Sequence, residues 1–428
     1  MPGELTPDNT IFVSLSFEGP DPYAQAGGLG VRVSELDAAL AAQGFETHLL
    51  FIGDPNLPSH ETREDGKLIL HRWSQWLSAQ YPSGVYHGEE AKVHDVNESA
   101  PWFLGESIIG PAIHSGKRAV VIAEDWHTTE AICRLSDLLY TWGLRHRAVL
   151  MWNANNLYGF YRINFGRLGF VSTLTTVSKY MKHRMWSYGQ NPLVIPNGIP
   201  ERFLQAPPAK YVNACRTLFG DTMTLFKIGR FDPDKRWLQA IEAVARLKAA
   251  GVPVRLLMRG GIEPHGSEVL WRAHALGLSV ADVTSRGRTM EDSIAALQSA
   301  PGADILNLSY FLPEEFVRVL YRASNAVLAN SGHEPFGLVG LEVMAAGGTA
   351  VTGSTGEDYA VHFENAVVLD TEDPAELAGS LIYLRDHPEQ VKRLKAGAAA
   401  TARQYTWAEV LHNLLSKASY LADRQDPL

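Results

Sequence analysis

The sequence predicts an α/β protein built from two doubly wound parallel sheets, and three observations carry that expectation. Short apolar runs alternate with longer helical patterns along nearly the whole chain, as parallel βαβ units covered on both faces require. The series runs twice, broken near the middle by Pro196, Pro200, Pro207 and Pro208, which mark a hinge between domains. The length of 428 residues suits two or three domains at roughly 150 residues each.

In the first half, residues 11–17 read as the opening strand, followed by a loop over 18–30 that carries Gly27, Gly28 and Gly30. A helix follows over 31–43 and stops at Gly44. Further strands are expected at 47–52, 119–123, 148–152, 173–177 and 193–195. Residues 54–106 are rich in Trp, Tyr, His and Gly and show no clear period; irregular, function-bearing excursions are expected there. In the second half strands are expected at 224–228, 254–258, 305–308, 326–329 and 349–352, with helices such as 238–250 and 340–346 between them. One amphipathic helix closes the chain from 407. The expected division is therefore 1–200, 201–406 and a C-terminal helix within 407–428. Open α/β sheets bind ligands beyond the carboxyl ends of their strands, so the two halves are expected to face one another across a central cleft.

Composition excludes several classes. Thirty-eight basic residues against forty-seven acidic ones leave a net charge of -9, a field that repels nucleic acid. Cys133 and Cys215 match no thiol–metal spacing and read as reduced thiols of a cytoplasmic protein. The polar start of the chain leads us to expect no secretory leader, and no apolar run reaches the ~18 residues of a membrane span. Lys179, Lys182, His183 and Arg184 form a small basic cluster, which reads as a solvated face before it reads as a membrane contact.

The segment His333-Glu334-Pro335-Phe336-Gly337-Leu338 follows a strand and opens a helix that carries Glu342. Amides freed at a helix start form an anion site suited to a diphosphate, and carboxylates accept the vicinal hydroxyls of a sugar or ribose. Two glutamates alone also read as a capping acid and a surface acid. Gly229-Arg230-Phe231-Asp232-Pro233-Asp234-Lys235 follows another strand and supplies two cations of the kind a departing diphosphate needs where no metal does the work. Standing alone, such a pair also reads as solvated surface. Gln25-Ala26-Gly27-Gly28-Leu29-Gly30 lets backbone approach a phosphate. Glu124-Asp125-Trp126-His127-Thr128 and Trp152-Asn153-Ala154-Asn155-Asn156 each end a strand with polar groups. Asp54, after the second strand, would suit the ribose acid of a dehydrogenase.

The spacing Glu334-x7-Glu342 with its Pro-Phe-Gly-Leu resembles the signature of the retaining nucleotide-sugar glycosyltransferases of family 4, which have the GT-B fold. Leu320-Tyr321-Arg322-Ala323-Ser324-Asn325 before it and Val351-Thr352-Gly353-Ser354-Thr355-Gly356 after it resemble the flanking elements. The Gly-Gly-Leu loop and Asp125-Trp126-His127 resemble segments of glycogen and starch synthases and sucrose-forming relatives, although Gln25 stands where many glycogen synthases have lysine. The resemblance implies a C-terminal helix packing across the hinge and a hexosyltransferase, with glucose the expected hexose. It implies that Glu334 contacts the donor hexose, that Phe336, Gly337 and Leu338 offer amides to the donor, and that Glu342 holds the ribose. Arg230 and Lys235 would neutralise the leaving diphosphate, Thr355 would lie on the phosphate side, and Gly27, Gly28 and Gly30 would close over the phosphates. His127 would serve the acceptor side, and Asn153 or a neighbour would stand where relatives carry a histidine that touches the donor sugar. No metal and no cofactor are expected beside a nucleotide-sugar donor and a small-molecule or glycan acceptor. A non-catalytic nucleotide-sugar binder and a sugar-nucleotide epimerase or hydrolase are the rival readings.

Overall fold

The structure, a computed structural model, describes residues 4–425. The chain divides into two units: Met1–Gly198 with Trp407–Leu428, and Ile199–Thr406.

The first unit is built on an eight-stranded sheet. Its strands are β1 (Thr10–Leu15), β2 (Glu46–Ile52), β3 (His60–Arg63), β4 (Leu68–Trp73), β5 (Arg118–Glu124), β6 (Ala148–Ala154), β7 (Thr173–Thr176) and β8 (Leu193–Val194). Their spatial order is β3-β4-β2-β1-β5-β6-β7-β8. All neighbours run parallel except β3, which pairs antiparallel with β4. At the centre Val13 of β1 lies between His48 of β2 and Val121 of β5. Every residue of β1, β5 and β6 is buried, as strands covered on both faces must be. The covering helices include Gly28–Ala42 and the last helix, Trp407–Gln425. Trp407, Leu411, Leu414 and Ala418 of that last helix share a core with Phe12, Leu36, Leu40, Val149 and Met151, so the chain's end is part of the first unit.

Residues 54–106, which the apolar pattern leaves unassigned, hold β3, β4 and the helices Gln75–Gln80 and Glu89–Phe103. β3 reads His-Glu-Thr-Arg and is largely exposed, which is why no apolar run marks it. β4 carries Arg72 into the interior, where its Nε and Nη2 donate to Asp21 at 2.8 and 2.9 Å.

The second unit holds seven parallel strands: β9 (Met223–Ile228), β10 (Val254–Arg259), β11 (Val280–Val283), β12 (Ile305–Leu308), β13 (Ala326–Ala329), β14 (Ala350–Thr352) and β15 (Val367–Val368). Their order is β11-β12-β10-β9-β13-β14-β15. Leu225, Trp237, Leu247, Leu256, Leu328 and Leu377 lie in one core on one face of this sheet. Both cysteines are buried and unpaired. Among the described residues no helix is long and apolar enough to cross a membrane.

Candidate active site

Strand order reverses at β1/β5 in the first unit and at β9/β13 in the second. Loops leaving the carboxyl ends of such strand pairs diverge and leave room for a ligand.

In the second unit, β9 runs out through Gly229, at φ 152°, into exposed Arg230. Phe231 anchors the loop: its N–H donates to Glu263 Oε2 at 2.8 Å, and its ring packs on Trp237 with centres 4.9 Å apart. Trp237 Nε1 donates to the Arg230 carbonyl at 2.8 Å. Asp232 accepts the Asp234 N–H at 2.9 Å and so starts the 3-10 turn Pro233–Lys235. That turn delivers Lys235, whose ammonium pairs with Glu334 Oε1, at the end of the loop that follows β13.

Beyond Glu334 the chain is pinned by Phe336, 2% exposed, whose ring packs against Tyr359 and Tyr405. The Tyr359 hydroxyl donates to the Gly337 carbonyl. Gly337 takes φ 78° and ψ 54° as the cap of the helix Leu338–Ala345. Among the described residues nothing accepts the N–H groups of Phe336, Gly337 and Leu338. They form a cluster of unsatisfied donors at a helix start, where the helix dipole adds positive potential. Glu342 lies about one turn inside the helix; the Tyr321 hydroxyl donates to its Oε2 at 3.1 Å, and burial pushes its carboxyl up to about 7. Thr355 belongs to the 3-10 turn Ser354–Gly356 after β14, and its side chain lies outside the described residues.

Sequence reasoning missed Lys227, which looks like one more residue of an apolar strand. Its side chain is buried in β9, with Nζ donating to Asn330 Oδ1 at 2.5 Å and to the Leu328 carbonyl at 3.2 Å. Burial, and then the charge of Lys235, push its ammonium down to about 7. Asn330 in turn donates to Gln239 Oε1 at 2.8 Å, so this network ties β9 to β13 beneath Lys235 and Glu334. The only sequence signal was a lysine inside an otherwise apolar run.

Four expectations fall in the first unit, and the structure gives each residue partners of its own. The amides of Gly27 and Gly30, expected to hold phosphate, donate to Glu18 Oε2 at 2.9 and 3.0 Å, and Ala26 N joins them at 3.2 Å. Glu18 is 4% exposed and also accepts from the Tyr86 hydroxyl at 2.6 Å. The chain thus fills this anion site with its own carboxylate, and of the three glycines Gly28 alone is left off it. Asn153 lies inside the sheet: β6 continues to Ala154, so Asn153 is fully buried, donating to Glu124 Oε2 at 2.8 Å and accepting from Thr175 at 2.9 Å. Half-buried Asn155 is the first asparagine clear of the strand. His127 is enclosed, its ring 4.2 Å from Phe17 and 4.1 Å from Trp126 between centres. Its Nε2 lies 2.9 Å from Glu89 Oε1, and burial lowers its pKa, which keeps the ring neutral at neutral pH. Asp54 accepts the Asn56 N–H at 2.8 Å, which makes it the start of an Asx turn.

Around these residues the strand ends of the first unit are acidic. Glu124 pairs with buried Arg32 at 3.4 Å. Asp125 stands at φ 59°, a conformation costing of order 1–3 kcal/mol that clusters at functional sites. The Asn155 N–H at 2.7 Å and Asn156 Nδ2 at 3.0 Å hold its carboxylate. Burial pushes that carboxyl up to about 7.

A family model described as glycosyl transferases group 1 matches residues 216–401, which span both loops of the second-unit site. The D-inositol 3-phosphate glycosyltransferase of Thermobispora bispora is 30% identical over 422 residues, covering 93% of this chain and 91% of its own. The enzyme of the same name from Thermomonospora curvata is 30% identical over 175 residues, and the match spans 40% of the length of each chain. Among solved structures, sucrose-phosphate synthase from Thermosynechococcus elongatus superposes with a TM-score of 0.69 at 18% identity, over 97% of this chain and 100% of that one. With 30% identity sustained along 93% of the chain, and with both of its sheets in the architecture of that synthase, the protein belongs to the group 1 glycosyltransferases, GT-B enzymes of family 4 that take sugar from a nucleotide sugar.

Proposed function

We propose that the enzyme is a retaining hexosyltransferase that moves glucose from a nucleoside diphosphate glucose to a hydroxyl acceptor without a metal, the second unit binding the donor and the first the acceptor. The observation that carries this reading is the meeting of Lys235 with Glu334 next to the open amides of Phe336, Gly337 and Leu338. The bond from the anomeric carbon to the diphosphate breaks, and charge grows on the departing phosphate oxygen. Lys235, Arg230 and the three amides stabilise that charge without reorganising. The acceptor hydroxyl attacks from the face the diphosphate leaves, and its proton passes to a leaving phosphate oxygen. Glu334 accepts hydroxyls of the hexose, and Glu342, ionised, accepts those of the ribose. A mere binder has no use for groups aimed at a departing charge, which sets the non-catalytic reading second.

On the acceptor side, the relatives are named for D-inositol 3-phosphate. The buried carboxylates of Glu18, Glu124 and Asp125 set a negative field that disfavours a phosphate, so an uncharged polyol is the expected acceptor class.

Thermal unfolding with UDP, ADP and GDP, with and without EDTA, tests the donor half, because a ligand of the native state raises Tm by mass action. A base-selective, EDTA-insensitive rise is expected; folded protein that responds to none of the three overturns the site. Proton NMR of the product then reads the anomeric configuration, and inositol against inositol 3-phosphate reads the acceptor class. Inversion, or a demand for the phosphate, defeats the corresponding half of the proposal.

A further inference from the structure

The donor loops leave the carboxyl ends of β9 and β13. At the opposite ends of the same two strands lies a cavity of about 350 Å³, lined by Met223, where β9 starts, and Ala326, where β13 starts. Its floor is apolar: Phe219, Met223, Leu381 and Leu384 are buried against it. Cations stand at its rim. Exposed Arg216 and half-buried Lys395 line it, and both Arg216 and Arg322 are close enough to Lys395 to depress its pKa, after burial, by like charge. Among the described residues Arg216 and Arg322 donate only to backbone, to the carbonyls of Arg322 at 3.2 Å and of Ala346 at 3.4 Å. Among the described residues no carboxylate pairs with Arg216, Arg322 or Lys395, whereas Arg385 on the same rim is met by Asp386 at 2.7 Å. In a chain of net charge -9, three neighbouring cations without a counter-charge are a local departure. Ser324 supplies the second observation: it lines the cavity, is 3% exposed, and its hydroxyl has no hydrogen-bond partner among the described residues. Buried polar groups are nearly always satisfied, so such an orphan needs an account.

A single ligand answers all of these features. Cations and a free hydroxyl ask for an acceptor-rich anion, and the floor asks for an apolar body. The volume is near the low end of the ~300–1,000 Å³ usual for small-molecule sites. A phosphate monoester carries about −1.5 to −2 charges at neutral pH, which matches three cations better than a carboxylate does. We propose that this cavity is a second ligand site, separate from the donor site, that binds a small phosphate monoester with its phosphate at Arg216, Lys395 and Ser324, within the field of Arg322 behind Lys395, and its apolar body on Phe219 and Leu381.

Phenyl phosphate is the probe, titrated calorimetrically into the full-length enzyme saturated with UDP, with inorganic phosphate, benzoate and benzyl alcohol as controls. One equivalent of phenyl phosphate is expected to bind, about tenfold or more tighter than any control, and Arg216→Ala with Lys395→Ala is expected to weaken it by a similar factor or more. Both side chains reach solvent, so the double variant keeps its fold, which circular dichroism checks. Methyl NMR of the unmodified enzyme provides a measurement free of substitution: the Met223 and Leu381 methyls are expected to shift on titration, with or without UDP. Displacement by UDP, unchanged affinity in the double variant, inorganic phosphate binding equally well, or no binding of phenyl phosphate would each overturn the site. Benzoate binding as well as phenyl phosphate would overturn the assignment of a phosphate.

Discussion

Two glycine-bearing turns lead into helices at the strand ends of this protein, and they have opposite fates. In the first unit, the turn into the helix Gly28–Ala42 points its Ala26, Gly27 and Gly30 amides at Glu18. In the second, the turn into the helix Leu338–Ala345 leaves the amides of Phe336, Gly337 and Leu338 without an acceptor among the described residues. A helix start offers the same orphan donors and the same dipole in both places. The difference is whether the chain supplies its own carboxylate. A glycine-rich turn therefore marks a place where an anion can sit, and only the surrounding side chains decide whether that anion is a ligand.

The largest effect expected from this contrast is on turnover. Lys235→Ala should lower kcat by about 10²–10³, the usual result of removing one preorganised group from a developing charge. Its ion pair with Glu334 is about one-fifth exposed on both sides, and losing it should change stability by about 1 kcal/mol or less. Steady-state kinetics beside urea unfolding separates the two; near-normal turnover would remove Lys235 from the mechanism. Glu18→Gln should do the reverse. A buried carboxylate that accepts three amides and a hydroxyl is replaced by a neutral group that must also place two donors, at a cost of about 2 kcal/mol. Affinity for nucleotide should be unchanged, and a large change measured by calorimetry would return the first-unit turn to the donor site.

The next effect is set by pH. The carboxyl of Glu342 is pushed up to about 7, so it is protonated below that pH and ionised above it. Ribose hydroxyls are held by the ionised form, and donor affinity should therefore rise with pH, about tenfold between pH 6 and pH 8. The intact nucleotide sugar is the ligand to use, since its diphosphate diester does not titrate in this range. Glu342→Gln should flatten the profile, and a steep profile in that variant would assign the titration elsewhere.

How much of this was legible follows from where each residue sits. The central strands were legible because burial on both faces makes them continuous apolar runs, as in β5 and β6. β4 was hidden because Arg72 in its middle is buried only by virtue of Asp21, fifty-one residues earlier; β3 and β11 were hidden because edge strands keep polar residues. In the second-unit site, Lys235 and Glu334 were legible as residue types on the two loops that the strand order brings together. Lys227 was not, because a lysine in a strand looks the same whether its ammonium reaches water or Asn330. Glu18 was not, because the capture of an amide by a carboxylate eight to twelve residues away leaves no period. Asn153 was misread by two residues, the distance by which β6 outruns its apolar pattern.

The smallest effects test the two turns at the glycines themselves. Gly337 stands at φ 78°, where an L-residue with a Cβ is disfavoured by about 1–2 kcal/mol. Gly28 is the first residue of its helix, outside the positive-φ region, and a Cβ added there meets nothing within 4 Å. Gly337→Ala should therefore cost about 1–2 kcal/mol of stability and weaken donor binding, because relief of the strain rotates the amides of the turn. Gly28→Ala should leave stability within about 0.5 kcal/mol of the parent and donor binding untouched. Urea unfolding and nucleotide titration of the two variants give four numbers, and a drop in donor affinity in Gly28→Ala alone would invert the assignment, making the first turn the phosphate site despite the carboxylate that occupies it.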